Sequence, residues 1–192
     1  MVCLAQQRQR VRAPVQAVID STGLDVRQAS LYYINQRPSR SKRCKKWPKL
    51  SLFCDRRTHL VLAADARLGP RNDCPLLKPL ARRASALVPV AQLLADAGYD
   101  SEENHRLCRE ELGIAESIIA VNLRGRRRPP QDGYRAQMHQ AFPEEIYRQR
   151  AQAESINSRI KRLLGASLRS RTAARQNQEA ILRVITFDLM LL

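Results

Sequence analysis

Aromatic residues are scarce in this chain of 192 residues: five Tyr, three Phe and one Trp make up 5% of it. Proteins that read single-stranded RNA stack bases on such rings. Only Tyr32, Tyr33 and Trp47 stand early in the chain as candidates, so an RNA-stacking platform is disfavoured. Long apolar runs are also missing. None approaches the ~18 residues that a membrane-crossing helix needs. The first residues, MVCLAQQRQRVRAP, hold neither the apolar core nor the cleavage site of a secretory signal. The expected location is therefore the cytoplasm, with no membrane partner. Paired cysteines are lacking too. The five, at 3, 44, 54, 74 and 108, are odd in number and form no C-x-x-C. They read as free thiols in a reducing compartment. The set Cys44, Cys54, His59 and Cys74 has the spacing of no usual zinc finger.

Acidic residues are the last scarcity. Against 34 Lys and Arg stand 18 Asp and Glu, a net charge of +16. The excess is uneven. Residues 1–60 carry 13 basic and 3 acidic side chains, residues 61–123 carry 7 and 9, and residues 124–175 carry 13 and 4. Two basic blocks flank a slightly acidic middle. Such a field suits a polyanion, and nucleic acid is the commonest one. Lys45 and Lys46 in the first block, and Arg126, Arg127 and Arg128 in the second, are candidate phosphate contacts.

What is present has a legible order. PVQAVID (14–20) is rich in strand formers and runs into the turn signal STG, which places Asp20 at a strand end. WPKLSLFCD (47–55) and HLVLAAD (59–65), joined by RRT, predict an antiparallel hairpin. CPLLKPLARRASAL (74–87) predicts a helix after its first turn. VAQLLAD (90–96) predicts a buried strand that ends at Asp96. DSEENHRLCREELG (100–113) predicts a helix capped by Asp100, and ESIIAV (116–121) predicts another buried strand. RGRRRPPQDGYR (124–135) reads as a basic loop, and two helices close the chain over roughly 144–164 and 176–191. Early antiparallel strands followed by alternating helices and strands predict an α/β fold: a mixed five-stranded sheet flanked by helices, of the ribonuclease H-like kind among others. Residues 1–13 are expected to form a basic N-terminal segment and 14–192 the domain itself.

Two acids at predicted strand ends can share divalent metal ions, because distant strands converge there and a cation relieves their repulsion. Either acid alone reads equally as a turn former or a helix cap. The helix YRQRAQAESINSRIK (147–161) adds a third acid in basic surroundings. At about 100° per residue, Tyr147, Arg150, Glu154 and Lys161 fall within an arc of about 60°. Ile156, Ile160, Leu163 and Leu164 lie on another face and can pack on the sheet. An exposed Arg–Glu pair in this order contributes only ~0.3–0.5 kcal/mol, so stability gives little reason for the alignment.

The spacing Tyr147-x2-Arg150-x3-Glu154-x6-Lys161 resembles the Y-R-E-K signature of DDE transposases of bacterial insertion sequences. AVIDSTGL (17–24), WPKLSLFCDRRTHLVLAADARLGPRND (47–73) and LLADAGYDSEENH (93–105) resemble further blocks of that family, in its order. The resemblance spans about residues 14–190. It implies a ribonuclease H-like catalytic domain in which Asp20, Asp96 and Glu154 are the catalytic, metal-binding triad for two Mg²⁺ or Mn²⁺ ions. It implies that Tyr147, Arg150 and Lys161 hold DNA beside the cleaved phosphate. The implied partners are transposon-end and target DNA in the nucleoid, with a homodimer left open. The implied reactions are strand cleavage and strand transfer during transposition. Only 19 residues precede Asp20, and they show no helix-turn-helix. The resemblance is therefore to a catalytic domain without the family's usual N-terminal region. An inactive DNA-binding remnant that competes with a full-length transposase is the alternative reading.

Overall fold

The computed structural model describes residues 13–26, 47–69, 71–123, 125 and 129–192. Lys45, Lys46, Arg126, Arg127 and Arg128, expected to contact phosphates, lie outside the described residues. Strand β1 (Val15–Gly23) is followed by the two-residue β2 (Asp25–Val26), the hairpin β3 (Pro48–Asp55) and β4 (Val61–Leu68), helix α1 (Leu77–Ser85) and β5 (Val90–Ala95). Next come α2 (Glu102–Arg106), which runs into a wider π turn over Leu107–Glu111, and β6 (Glu116–Ile119). Helices α3 (Gly133–Gln140), α4 (Glu144–Tyr147) and α5 (Ala151–Leu164), the short β7 (Ser167–Leu168) and α6 (Ala173–Leu191) complete the chain.

The five main strands form one mixed sheet in the order β4-β3-β1-β5-β6. The hairpin pairs antiparallel with β1, whereas β1, β5 and β6 run parallel. This is the α/β sheet that the sequence pattern predicted. The parallel strands need long returns, and α1 and α2 supply them. The hairpin closes through a local device. The Asp55 carboxylate accepts the backbone N–H groups of Arg57 and Thr58 and the Thr58 hydroxyl, the last at 2.6 Å. Asp55 is thus a turn former.

Alternation along the strands separates two cores. Ala17, Ile19, Phe53, Leu93 and Ala95 pack with α1 residues Leu77, Leu80 and Ala84. Val18, Leu52, Leu94 and Ile118 face the other way, onto Ile156 and Ile160 of α5 and Val184 and Phe187 of α6. Asp20 continues the series of Val18, and Asp96 that of Leu94. Period-2 geometry therefore aims both acids at the layer that contains α5.

Several elements depart from the sequence reading. β1 does not stop at Asp20. STG continues the strand, because Ser21, Thr22 and Gly23 pair with Ser51, Leu50 and Lys49 of β3. Asp100 does not cap α2. Ser101 does, accepting the N–H of Asn104 at 3.0 Å. The helix expected over 144–164 is interrupted by a 3₁₀ turn at Arg148–Arg150. Helix α3 begins inside the expected loop 124–135 and runs on to Gln140, where no element was expected. Its N-terminal N–H groups are satisfied from a distance: the Glu102 carboxylate accepts those of Tyr134 at 3.0 Å and Arg135 at 3.1 Å. Gly133 permits this approach, since a Cβ there would stand 2.4 Å from a Glu102 oxygen, and its φ of +76° suits glycine.

Candidate active site

The site begins where two strands part. Parallel pairing of β1 with β5 ends at Ile19↔Ala95, so Asp20 and Asp96 are the next residue on each strand. β1 goes on alone beside β3, while β5 breaks into a 3₁₀ turn at Ala97–Tyr99. Asp96 caps that turn through its Oδ1, which accepts the Gly98 N–H at 2.8 Å. Gly98 fits because its missing Cβ would lie 2.9 Å from the same oxygen. Asp96 therefore serves as a turn cap and still stands beside Asp20.

Burial, and next the neighbouring negative charge of Asp96, push the Asp20 carboxyl above the usual carboxylate range. The backbone N–H of Ser21, the guanidinium of Arg150 and the amide of Asn157 work against that rise. The Asn157 amide Nδ2 donates to Asp20 Oδ2 at 2.9 Å. Behind the site, on the opposite face of β1, Ser21 Oγ lies 2.8 Å from the hydroxyl of buried Tyr99 and 2.7 Å from Ser51 Oγ. This hydroxyl chain ties β1, β3 and the turn after β5 together beneath the acids.

Helix α5 and the 3₁₀ turn before it bring the basic and aromatic groups. Arg150 is half-buried and donates to the exposed Glu154 at 2.5 Å. The same guanidinium feels the charges of Glu154 and Asp20, so it links the helix acid to one of the sheet acids. Tyr147 packs edge-on against Phe142 at 4.8 Å, with Arg150 6.0 Å from its ring centre. Burial chiefly raises the Tyr147 hydroxyl above its ordinary value, and Asp96 and Glu154 push it further. Lys161 lies half-buried farther along α5.

Asp20, Asp96, Arg150 and Tyr147 thus share one electrostatic neighbourhood, and Glu154 borders it through Arg150. Among the described residues, no group of three His, Cys, Asp or Glu side chains is arranged to hold a metal ion. The Asp20–Asp96 pair nevertheless suits a hard divalent cation. Its donors are carboxylate oxygens, its mutual repulsion is relieved by positive charge, and Asn157 next to it carries a buried Oδ1 with no partner. Glu154 does not join the pair: its Oε1 is engaged by Arg150.

Sequence reasoning passed over Asn157, Gly98 and the Ser21–Tyr99 pair. Asn157 was open to discovery: it lies between Ile156 and Ile160, among the residues α5 turns to the sheet, and a polar residue there needs a partner. Among the described residues no helix is long and apolar enough to cross a membrane. The family model for the transposase DDE domain matches residues 12–189. The match covers Asp20, Asp96 and all of α5, and the chain belongs to the transposase DDE domain family.

Proposed function

We propose that this chain cuts and joins DNA as the catalytic domain of an insertion-sequence transposase, with Asp20, Asp96 and Glu154 as its metal-binding acids. The observation that carries the reading is the pair Asp20 and Asp96: side by side where two parallel strands part, partly buried, and mutually repelling. A structural pair of acids would be separated or neutralised. A pair kept close fits a cation that arrives later.

When bound, a pair of Mg²⁺ or Mn²⁺ ions would activate the attacking oxygen and stabilise the leaving oxygen of an in-line displacement. The chain's own groups do the rest. Asp20 and Asp96 present fixed oxygens from a rigid sheet. Tyr147, Arg150 and Lys161 hold the phosphate against them, Arg150 through a planar fork suited to phosphate oxygens. A phosphate that drew Arg150 away from Glu154 would free that carboxylate to hold a metal ion beside Asp20 and Asp96. In cleavage, water attacks phosphorus and a strand ends in a 3′-hydroxyl. In strand transfer, that hydroxyl attacks a target phosphodiester and displaces the target's own 3′-oxygen. The partners are DNA and, in the arrangement that acts on two ends at once, a second copy of the chain.

One observation favours the alternative of a DNA-binding remnant: Glu154 is paired to Arg150 and exposed. The test is strand cleavage on DNA that carries the repeats flanking the gene, with Mg²⁺ or Mn²⁺. The parent should nick it, while Asp20→Asn, Asp96→Asn and Glu154→Gln should lose cleavage by orders of magnitude and still bind the DNA in Ca²⁺. A parent that binds such DNA but never cuts it sinks the enzymatic reading and leaves the remnant.

A further inference from the structure

Asn157 is the one polar residue on the buried stripe of α5, only 6% exposed among Ala153, Ile156 and Ile160. Its amide must turn its N–H₂ toward Asp20, since an oxygen there would repel the carboxylate. Two consequences follow. Asp20 Oδ2 is committed to a hydrogen bond, which hinders Asp20 from clasping an ion with both oxygens. The other end of the amide, Oδ1, is buried and accepts nothing from any protein group. An acceptor in that position is costly until a donor arrives.

Both features discriminate between hard cations. Ca²⁺ takes six to eight oxygens and often chelates a carboxylate through both of them. Mg²⁺ demands a compact octahedron, takes one oxygen from each carboxylate and keeps several waters, which are hydrogen-bond donors. We propose that Asn157 is a positioning residue that restricts Asp20 to one-oxygen ligation, offers its carbonyl to a water on the ion, and so biases the site toward Mg²⁺ and against Ca²⁺. This rests on the reading of Asp20 as a metal ligand.

The experiment is calorimetric titration of the full chain, without DNA, with Mg²⁺, Mn²⁺ and Ca²⁺ separately. The variants are Asp20→Asn and Asn157→Leu, which keeps the shape of the amide and removes both polar ends. Melting temperature reports whether each variant folds. In the parent, Mg²⁺ and Mn²⁺ should bind more tightly than Ca²⁺, and Asp20→Asn should weaken all three. In Asn157→Leu the ratio of Ca²⁺ to Mg²⁺ affinity should move about tenfold toward Ca²⁺. If Asn157→Leu does not melt cooperatively, Asn157→Ser, too short to reach Asp20, replaces it with the same expectation. A folded variant with the parent's ratio overturns the inference, since a residue that merely pins α5 to the sheet would shift stability and not ion preference. If Asp20→Asn binds every ion as the parent does, Asp20 is no ligand, and the proposed function fails together with the inference.

Discussion

Asp96 and Asp100 stand four residues apart and are treated in opposite ways by the fold. Asp100 is 1% exposed, and its charge is met by a guanidinium and a backbone N–H. Arg135 grips it with two nitrogens at 2.8 and 2.7 Å, and the backbone N–H of Asn122 donates at 2.7 Å. Arg135 in turn is anchored in α3, whose start is capped by Glu102. Asp96 has the N–H of Gly98 and, as a near neighbour, another acid. A buried acid that serves the fold is matched with positive charge; an acid left facing a like charge is held at some cost to the fold. The contrast identifies which of two neighbouring aspartates is structural and which is a candidate for chemistry.

The sharpest way to break this comparison is to remove the match. Arg135→Leu leaves the Asp100 carboxylate buried beside an apolar side chain. Breaking one partner of such a pair costs about 3–5 kcal/mol, toward the lower end here because Asn122 still donates. Urea unfolding should show that loss, and the double variant Asp100→Leu/Arg135→Leu should recover much of it, since no unpaired charge then remains. A single-variant loss below about 1 kcal/mol would make Asp100 no better matched than Asp96.

On the next turn of α2, His105 belongs to the structural side of the comparison. It is fully buried, with Nδ1 2.7 Å from Ser117 Oγ and Nε2 without a partner. Burial first, and the nearby Arg109 second, lower its pKa from 6.5 to about 4. Because the folded value is depressed, its stabilising share is whole above pH 6.5. It is lost as pH falls toward 4, where the unfolded chain takes up a proton that the folded chain refuses. The full difference is roughly 3 kcal/mol, and roughly 2 kcal/mol of it is gone by pH 5. Unfolding free energies at pH 7.5 and pH 5 should differ less in His105→Gln than in the parent. An equal fall in both would assign the acid sensitivity to other groups.

Asp20 carries the opposite sign. Its folded pKa is raised. Between the unfolded value of 3.8 and that raised value the folded state keeps a proton that the unfolded state has released. Stability therefore drops as pH rises through that window, and the ionised Asp20 remains a burden at neutral pH. Asp20→Asn should melt higher than the parent at pH 7.5, by roughly 2–4 °C for each 1 kcal/mol relieved. Mg²⁺ should raise the melting temperature of the parent more than that of Asp20→Asn. A lower melting temperature for Asp20→Asn would make Asp20 a structural acid like Asp100.

The sheet was legible in the sequence because its strands are buried apolar runs bounded by turns. Val18, Leu94 and Ile118 declare their strands without help from afar. What was hidden depended on non-local partners. β1 runs on through STG because β3 pairs with it, and a turn propensity yields to seven consecutive cross-strand partners. α3 was invisible because its cap, Glu102, comes from another helix. The helix-wheel argument for Tyr147, Arg150, Glu154 and Lys161 assumed one regular helix. The 3₁₀ turn at Arg148–Arg150 winds each residue about 20° farther than an α-helix does, so Tyr147 and Arg150 are carried round toward the sheet. Asp96 was readable as a strand-end acid and Asp20 was misplaced as one, since β1 runs on to Gly23; that the two are adjacent follows only from the parallel register.

The smallest expected effect on stability concerns Glu154, and it separates folding from chemistry within one residue. Its bond with Arg150 joins a guanidinium that is 20% exposed to a carboxylate that is 61% exposed. Water screens such a pair, and pairs of this kind contribute only about 0.3–0.5 kcal/mol. Glu154 also lies in the first turn of α5, where a negative charge meets the positive end of the helix, another few tenths of a kcal/mol. Glu154→Gln should therefore cost less than about 1 kcal/mol, a shift of at most roughly 2–4 °C in melting temperature. It should also free Arg150 for phosphate, so DNA affinity in Ca²⁺ should hold or rise. Cleavage by the same protein preparation should nonetheless fall by orders of magnitude if, as proposed, the acid joins the metal ligands once DNA draws Arg150 away. Unfolding, binding and cleavage are measured on that one variant. If stability falls by several kcal/mol, Glu154 belongs with Asp100 among the acids that hold the fold. If stability and cleavage are both unchanged, it is a solvent-exposed acid, and the active site must be built from Asp20 and Asp96 with some other third group.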